Sequence, residues 1–273
     1  MMKKPLKIGA CLLISEILDF RNWLFDSQRD LEIQDFALPN GLGYDFDDKL
    51  SLAKSLLKGF EGRLGIHGPF HGLDIDNKDS EIIAIISARL IKALEAADHL
   101  AATQMVIHSP FDAWYNRNIF AQKNYKNSKI EYIKAVLDPV IKVAERYGIL
   151  MVLENIQDVR PEHRKELALS FGSKCIAVSL DTGHAHIAHC TSGAPPVDFY
   201  VKDAGDLLRH VHLQDVDGYA DRHWSLGLGQ INWQSVFDAL SSVGSKPHLV
   251  LELKDKSDIH KSHEYLKSIG FAE

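Results

Sequence analysis

Short apolar runs rich in Val, Ile and Leu alternate along the chain with longer stretches in which apolar residues recur every three or four positions. The short runs are residues 6–12 (LKIGACL), 30–34 (DLEIQ), 63–67 (RLGIH), 104–108 (QMVIH), 149–154 (ILMVLE), 175–181 (CIAVSLD), 208–213 (LRHVHL) and 248–253 (HLVLEL). Their length and β-branched content predict strands, and the helical spacing over 46–59, 79–101, 129–147, 160–171 and 232–243 predicts amphipathic helices. The strands are apolar on both parities, as parallel strands covered on both faces are. Eight such units in a chain of 273 residues predict an α/β fold, a single (β/α)8 TIM barrel forming one domain over residues 1–273. A doubly wound open sheet is the competing architecture. No repeat, low-complexity segment or Pro/Gly-rich linker divides the chain. The longest stretch expected to be irregular is 109–128, containing SPFDAWYNRN, and a loop of that length is commonly functional.

Six of the eight predicted strands finish in a residue type that binds metals: His67, His108, Glu154, Asp181, His212 and Glu252. In a barrel the C-terminal strand ends converge on one face, where active sites are built, so these side chains should meet. A lone histidine after an apolar run is more often a hydrogen-bonded structural residue than a ligand; six coincident strand ends shift that balance. Local spacing adds to the set. Asp181-Thr-Gly-His184 puts a carboxylate and an imidazole three apart across a strand-to-helix turn. Asp221-Arg-His223 puts them two apart, on one side of an extended loop. The segment 209–233, RHVHLQDVDGYADRHWSLGLGQINW, thus begins as a strand and becomes a polar, glycine-rich loop that also carries Asp215 and Asp217. Imidazole and carboxylate donors without thiolate suit zinc, manganese, cobalt or iron, with magnesium a further option. Nine donors exceed the needs of one ion. Either two or three ions bind, or one binds while the remaining groups hold substrate and move protons.

Composition narrows the partners. Hydrophobic residues at 45% and charged residues at 25% belong to an ordinary globular chain, and 14 histidines are more than packing needs. The net charge of −6 makes small molecules better partners than nucleic acid, while leaving room for a local basic groove. Cys11, Cys175 and Cys190 show no CxxC or zinc-finger spacing, which fits a reducing cytoplasmic location without a disulfide framework. Ser15, Glu16 and Asp19 interrupt the first apolar run, and no segment reaches the roughly 20 apolar residues of a spanning helix, so no membrane association is expected.

The strand ends, with IHGPFHGLDI, VIHSPF, LENI, SLDTGHAHIA, HVHLQDVDG, DRHWSLGLGQINW and LELK, resemble the xylose isomerase-like TIM-barrel superfamily over nearly the whole chain. That group takes in sugar and sugar-phosphate isomerases and epimerases and also endonuclease IV. Resemblance to the isomerases implies one divalent ion held by Glu154, Asp181, His212 and Glu252, with the two glutamates also serving as acid and base. The reaction would be proton abstraction α to a carbonyl through a metal-stabilised enediolate, acting on a sugar or sugar phosphate. His184 would then contact a substrate oxygen, and Glu32 could reach a substrate hydroxyl. A homodimer is a further expectation from these relatives.

Resemblance to endonuclease IV implies instead that all nine donors, His67, His108, Glu154, Asp181, His184, His212, Asp221, His223 and Glu252, hold three zinc ions against a phosphodiester. The sequence departs from that enzyme in NIQDVRPEHR after Glu154 and in LQDVDG after His212, and it lacks an evident basic stripe for DNA. Arg222 could hold a substrate phosphate or pair with a carboxylate. Trp114, Tyr115 and Arg117 could cap the pocket or pack onto the barrel. His71, His186 and His189 are expected to be structural.

Overall fold

The computed structural model describes residues 5–121 and 123–273. Eight parallel strands close in sequence order into a barrel: β1 (Gly9–Leu12), β2 (Leu31–Ile33), β3 (Leu64–His67), β4 (Gln104–His108), β5 (Leu150–Glu154), β6 (Ile176–Asp181), β7 (Leu208–Leu213) and β8 (His248–Leu251). Pairing of β8 with β1 closes the ring, which excludes the open doubly wound sheet. The (β/α)8 TIM barrel expected from the pattern is therefore the fold.

Ten α-helices surround the barrel among the described residues. They are α1 (Arg21–Asp26), α2 (Phe46–Leu56), α3 (Ser80–His99), α4 (Ala113–Asn118), α5 (Tyr125–Tyr147), α6 (Pro161–Ser170), α7 (Thr182–Ser192), α8 (Val197–Ala204), α9 (Trp233–Leu240) and α10 (Ile259–Ser268). The long α3 and α5 pack against each other and cover β4 and β5, with Ile86, Leu90, Leu94, Ile133, Leu137 and Val140 all buried. None of these helices is long and apolar enough to cross a membrane.

The expected irregular stretch 109–128 is instead partly helical. Asp112 accepts a hydrogen bond from the Tyr115 N–H and caps α4, and α5 starts at Tyr125, four residues before the apolar spacing begins. Helix propensity along AWYNRN is poor, so the cap and the burial of Tyr115 against Phe111 are what hold the turn together.

The period of two along each strand explains what fills the barrel. Val106, Val152 and Ala177 form a small apolar plug separate from the main core, which lies between sheet and helices. Residues of the same parity above and below that plug are polar. At the foot, Arg63 pairs with Asp30 at 2.7 and 2.5 Å. Toward the C-terminal ends of the strands come Glu32, Ser179 and His210, all buried. The strand-end donors lie one pleat further up. A parallel barrel normally fills these layers with branched aliphatic side chains, so this polar column calls for a role.

Candidate metal centre

The six strand-end donors and the two added pairs do converge at the C-terminal mouth of the barrel. Glu154, Asp181, His212 and Glu252 each offer a ligand atom, and these atoms all lie within 4.8 Å of one another. His67 and His108 form a second such group with Glu154, and His184, Asp221 and His223 form a third. Glu154 joins the first two groups. Its Oε1 lies 3.2 Å from His212 Nδ1 and 3.5 Å from His184 Nδ1, and its Oε2 lies 3.4 Å from His67 Nε2 and 3.8 Å from His108 Nε2.

The second nitrogen of the ring decides what each imidazole can offer, and here four of the five rings have it tied. His67 Nδ1 lies 2.9 Å from the Gly68 carbonyl, His184 Nδ1 3.0 Å from the Asn155 carbonyl, and His223 Nδ1 2.9 Å from the Glu252 carbonyl. A carbonyl only accepts, so each Nδ1 carries a proton, and once the ring is neutral its Nε2 is the nitrogen that offers a lone pair to the mouth. His212 is reversed: Nε2 lies 3.0 Å from Glu32 Oε1, which leaves Nδ1 facing Glu154 and, at 3.4 Å, Glu252. Nδ1 of His212 and Oε2 of Glu154 are buried without a hydrogen-bond partner in the described structure. A buried ring nitrogen and a buried carboxylate oxygen without hydrogen bonds are costly unless a proton or a metal cation satisfies them. The donor set therefore fits a divalent ion, with orientation of the ligands by outer partners as metal-binding histidines require.

The electrostatics agree. Burial alone would lower the pKa of His212, but Glu252, Glu32 and Glu154 around it hold it well above the ordinary value. Burial likewise works against a charged His184, and Asp181 with Asp221 and Glu154 overrules it. Burial pushes the Asp181 carboxyl up to about 6 against the pull of His184, and it pushes His108 down to about 3 despite nearby Glu154. Such a cluster keeps protons where a metal would otherwise supply the positive charge. Cys11 lies beneath, with Sγ 3.5 Å from Glu32 Oε1; burial and the Glu32 carboxylate raise its thiol well above the usual value, and its sulfur also comes within 4.8 Å of ligand atoms of His212 and Glu252.

A match to the family model of xylose isomerase-like TIM barrels extends over residues 32–272. The chain belongs to this family. A Methanocaldococcus jannaschii protein without an assigned function is 28% identical over 218 residues, covering 76% of this chain and 70% of that protein. Among solved structures, a D-tagatose 3-epimerase-like protein superimposes with a TM-score of 0.78 at 23% identity, covering 96% of each chain. A Thermus thermophilus protein, solved after soaking with zinc chloride, gives 0.72 at 24% identity over 97% of this chain and 98% of its own.

Within the barrel of this xylose isomerase-like family member, the remaining predicted residues divide. Glu32 is buried beneath the mouth, with Oε1 on His212 and Oε2 3.0 Å from His210 Nε2, so its carboxylate is committed to two histidines and does not face a substrate hydroxyl. Arg222 pairs with Asp217 at 2.9 Å and lies over the Trp224 ring. Trp114 stands 66% exposed on α4, whereas Tyr115 is buried, its hydroxyl 3.1 Å from His163 Nδ1. Arg117 is exposed on the same helix. His71 packs at a tilt against Phe70, and His186 and His189 lie on α7, with His189 Nδ1 donating to the Ala194 carbonyl. None of these three histidines joins a donor group.

Three amides that are not metal-ligand types complete the site. Gln214 is fully buried; its Nε2 donates to both oxygens of Asp181 and to Asp221, and its Oε1 accepts the His223 N–H. Asn155 accepts the Asp181 N–H at 2.8 Å and donates to the Asp181 carbonyl. The fully buried Arg164 holds that same Asn155 oxygen. Gln34 donates to Glu252 Oε1 at 2.5 Å. Strand parity is the signal that finds two of them: Gln34 and Gln214 follow Glu32 and His212 by two residues, on the same side of the pleat.

Proposed function

We propose that this chain is a divalent-metal-dependent isomerase or epimerase acting on a sugar, with the metal at Glu154, Asp181, His212 and Glu252. The observation that carries this reading is the unpartnered, buried Nδ1 of His212 facing one oxygen each of Glu154 and Glu252. Epimerase-like structures sharing the fold support it. When bound there, an ion would polarise a substrate carbonyl and its neighbouring hydroxyl. The chain supplies the rest. Glu252, half-buried beside the fully buried Glu154, is the carboxylate best placed to take or return a proton at the carbon next to the carbonyl, and Gln34 fixes its orientation. His184, with Nδ1 held by Asn155, presents Nε2 to a substrate oxygen.

The test is solvent deuterium entering a carbon-bound position of a ketose, followed by proton NMR with manganese or zinc present. Glu252→Gln should slow that exchange by about 10²–10⁴-fold, the usual worth of a positioned acid or base. Absence of exchange across a broad panel of ketoses would remove the isomerase reading.

A second reading, a multi-zinc phosphodiesterase of the endonuclease IV type, has one observation in its favour. All nine donors fall into three adjacent groups, two of them joined through Glu154, which is more ligand than one ion uses. Two or three zinc ions per chain, together with cleavage of an abasic-site oligonucleotide that Glu154→Ala abolishes, would establish this reading over the first.

A further inference from the structure

Beside the metal centre, the loops following β3, β4 and β5 enclose a cavity of about 530 Å³ that reaches His108. This is the size of a small-ligand site. One wall is aromatic: the Phe70 ring stacks on His108 with centroids 3.9 Å apart and meets His71 at a tilt with centroids 4.1 Å apart. Ile75 continues the apolar side. Asp74, Asp76, Asp112 and Gln157 supply the polar side.

The charges are one-sided. Asp76 is met by Lys129 from α5. Asp74 and Asp112 form no ion pair among the described residues, and none of the described residues lining the cavity is Lys or Arg. A phosphate placed there would face two uncompensated carboxylates with no cation to bind it. Hydroxyl groups, by contrast, donate to carboxylates, and the C–H edge of a polyol lies well against an aromatic and aliphatic wall.

We propose that this cavity receives an uncharged polyol portion of the substrate, so that the sugar acted upon carries no phosphate at the end remote from the metal. The proposal rests on the isomerase or epimerase reading for its orientation, since His108 marks the cavity's inner end and the proton-transfer carboxylates lie beyond it. The lining of this cavity thus selects a free sugar over a sugar phosphate.

The test compares D-fructose, D-tagatose and D-fructose 6-phosphate as probes on the metal-loaded full chain, with dissociation constants from calorimetry and solvent-deuterium exchange recorded on the same samples. At least one of the free sugars should bind about tenfold or more tighter than the 6-phosphate, the penalty expected of like charges facing one another across the cavity. In the Asp74→Asn, Asp112→Asn double variant that ratio should shrink about tenfold. Asparagine caps a helix as well as aspartate does, so α4 is retained. Equal or tighter binding of the 6-phosphate, a ratio unmoved in the double variant, or no binding of either free sugar overturns the proposal. Binding with the expected ratio but without exchange upholds the cavity assignment, and the isomerase reading then falls if the broad ketose panel is silent as well.

Discussion

Glu32 and His212 stand 3.0 Å apart inside the barrel, and that contact determines which nitrogen of His212 faces the mouth. The same carboxylate lies 3.0 Å from His210 Nε2, and His210 Nδ1 is 2.9 Å from Ser179 Oγ. Burying a carboxylate among imidazoles in place of aliphatic side chains is costly unless each group is paired. The arrangement is explained if Glu32 holds His212 in the tautomer that leaves Nδ1 as a ligand. Glu32→Gln keeps the volume but cannot accept from both rings at once. It should weaken metal binding by about 10–100-fold, the usual effect of losing such an outer partner, measured by competition with a coloured chelator. Affinity within twofold of the parent, with only the melting temperature of the metal-free protein changed, would reduce Glu32 to a space-filling role.

Gly183 and Gln214 form a second dependence. A Cβ on Gly183 would lie 2.5 Å from the Gln214 side chain, whose amide bridges Asp181 and Asp221. Gly183 sits in the first turn of α7, where alanine would gain about 1 kcal/mol of helix propensity. Overpacking against a buried, fully bonded amide costs typically about 1–3 kcal/mol, and the lost bonds to carboxylates add to that. Gly183→Ala should therefore destabilise, and urea unfolding of the metal-free protein should show it. A stabilised variant would mean that Gln214 has room to move and does not brace the two carboxylates.

These two cases mark how far the sequence could be read. Barrel closure and the strand ends were legible because apolar runs and a period of two survive any detail of packing: His67, Asp181 and Glu252 stand where the pattern put them, within a residue of a strand end. Of the aspartates of 209–233, the spacing to His223 singles out Asp221, but nothing in the loop's sequence assigns a role to Asp215 or Asp217. The structure divides them by partner. Asp215 is buried and accepts from the N–H groups of Val216, Gly227 and Ile231 and from Trp233 Nε1, which ties the loop; Asp221 meets His184 and His223. Gly229 belongs to the same tie, since a Cβ there would lie 2.2 Å from Asp215 Oδ1. Glu32 was legible as a carboxylate of the second strand, but its depth below the mouth is a property of the barrel's stagger, which no local pattern carries. Asn155 and Arg164 act through hydrogen bonds to backbone groups that exist only in the folded chain.

At the foot of the barrel, His248 makes a pH dependence independent of the metal site. Burial, with Arg63 and His210 nearby, pushes its pKa down to about 2. The folded value lies below the unfolded one, so below about pH 6.5 the unfolded chain binds the extra proton. The contribution is present in full above about 6.5 and is lost as pH falls from there toward about 2, at about 1.4 kcal/mol per unit. Urea unfolding of the metal-free protein between about pH 7 and about pH 5 should show that slope, and His248→Gln should flatten it by about that amount. An unchanged slope would assign the acid sensitivity to other groups.

Metal removal separates the four-residue centre from the two flanking groups. An ion held by the folded chain at about 100 times its dissociation constant adds about 2.7 kcal/mol, which for a protein of this size raises Tm by roughly 5–10 °C. Stripping with a chelator should lower Tm by that much, and zinc or manganese should restore it. His212→Ala removes a central donor of the proposed centre and should abolish the metal-dependent part of the shift. His67→Ala and Asp221→Ala, one from each flanking group, should leave about one ion per chain and most of the shift if a single ion is bound. Loss of an ion from either flanking variant, counted by plasma mass spectrometry, would place further metals beside Glu154 and Asp221 and favour hydrolysis over proton transfer, since an isomerase with one ion has no use for those donors as ligands.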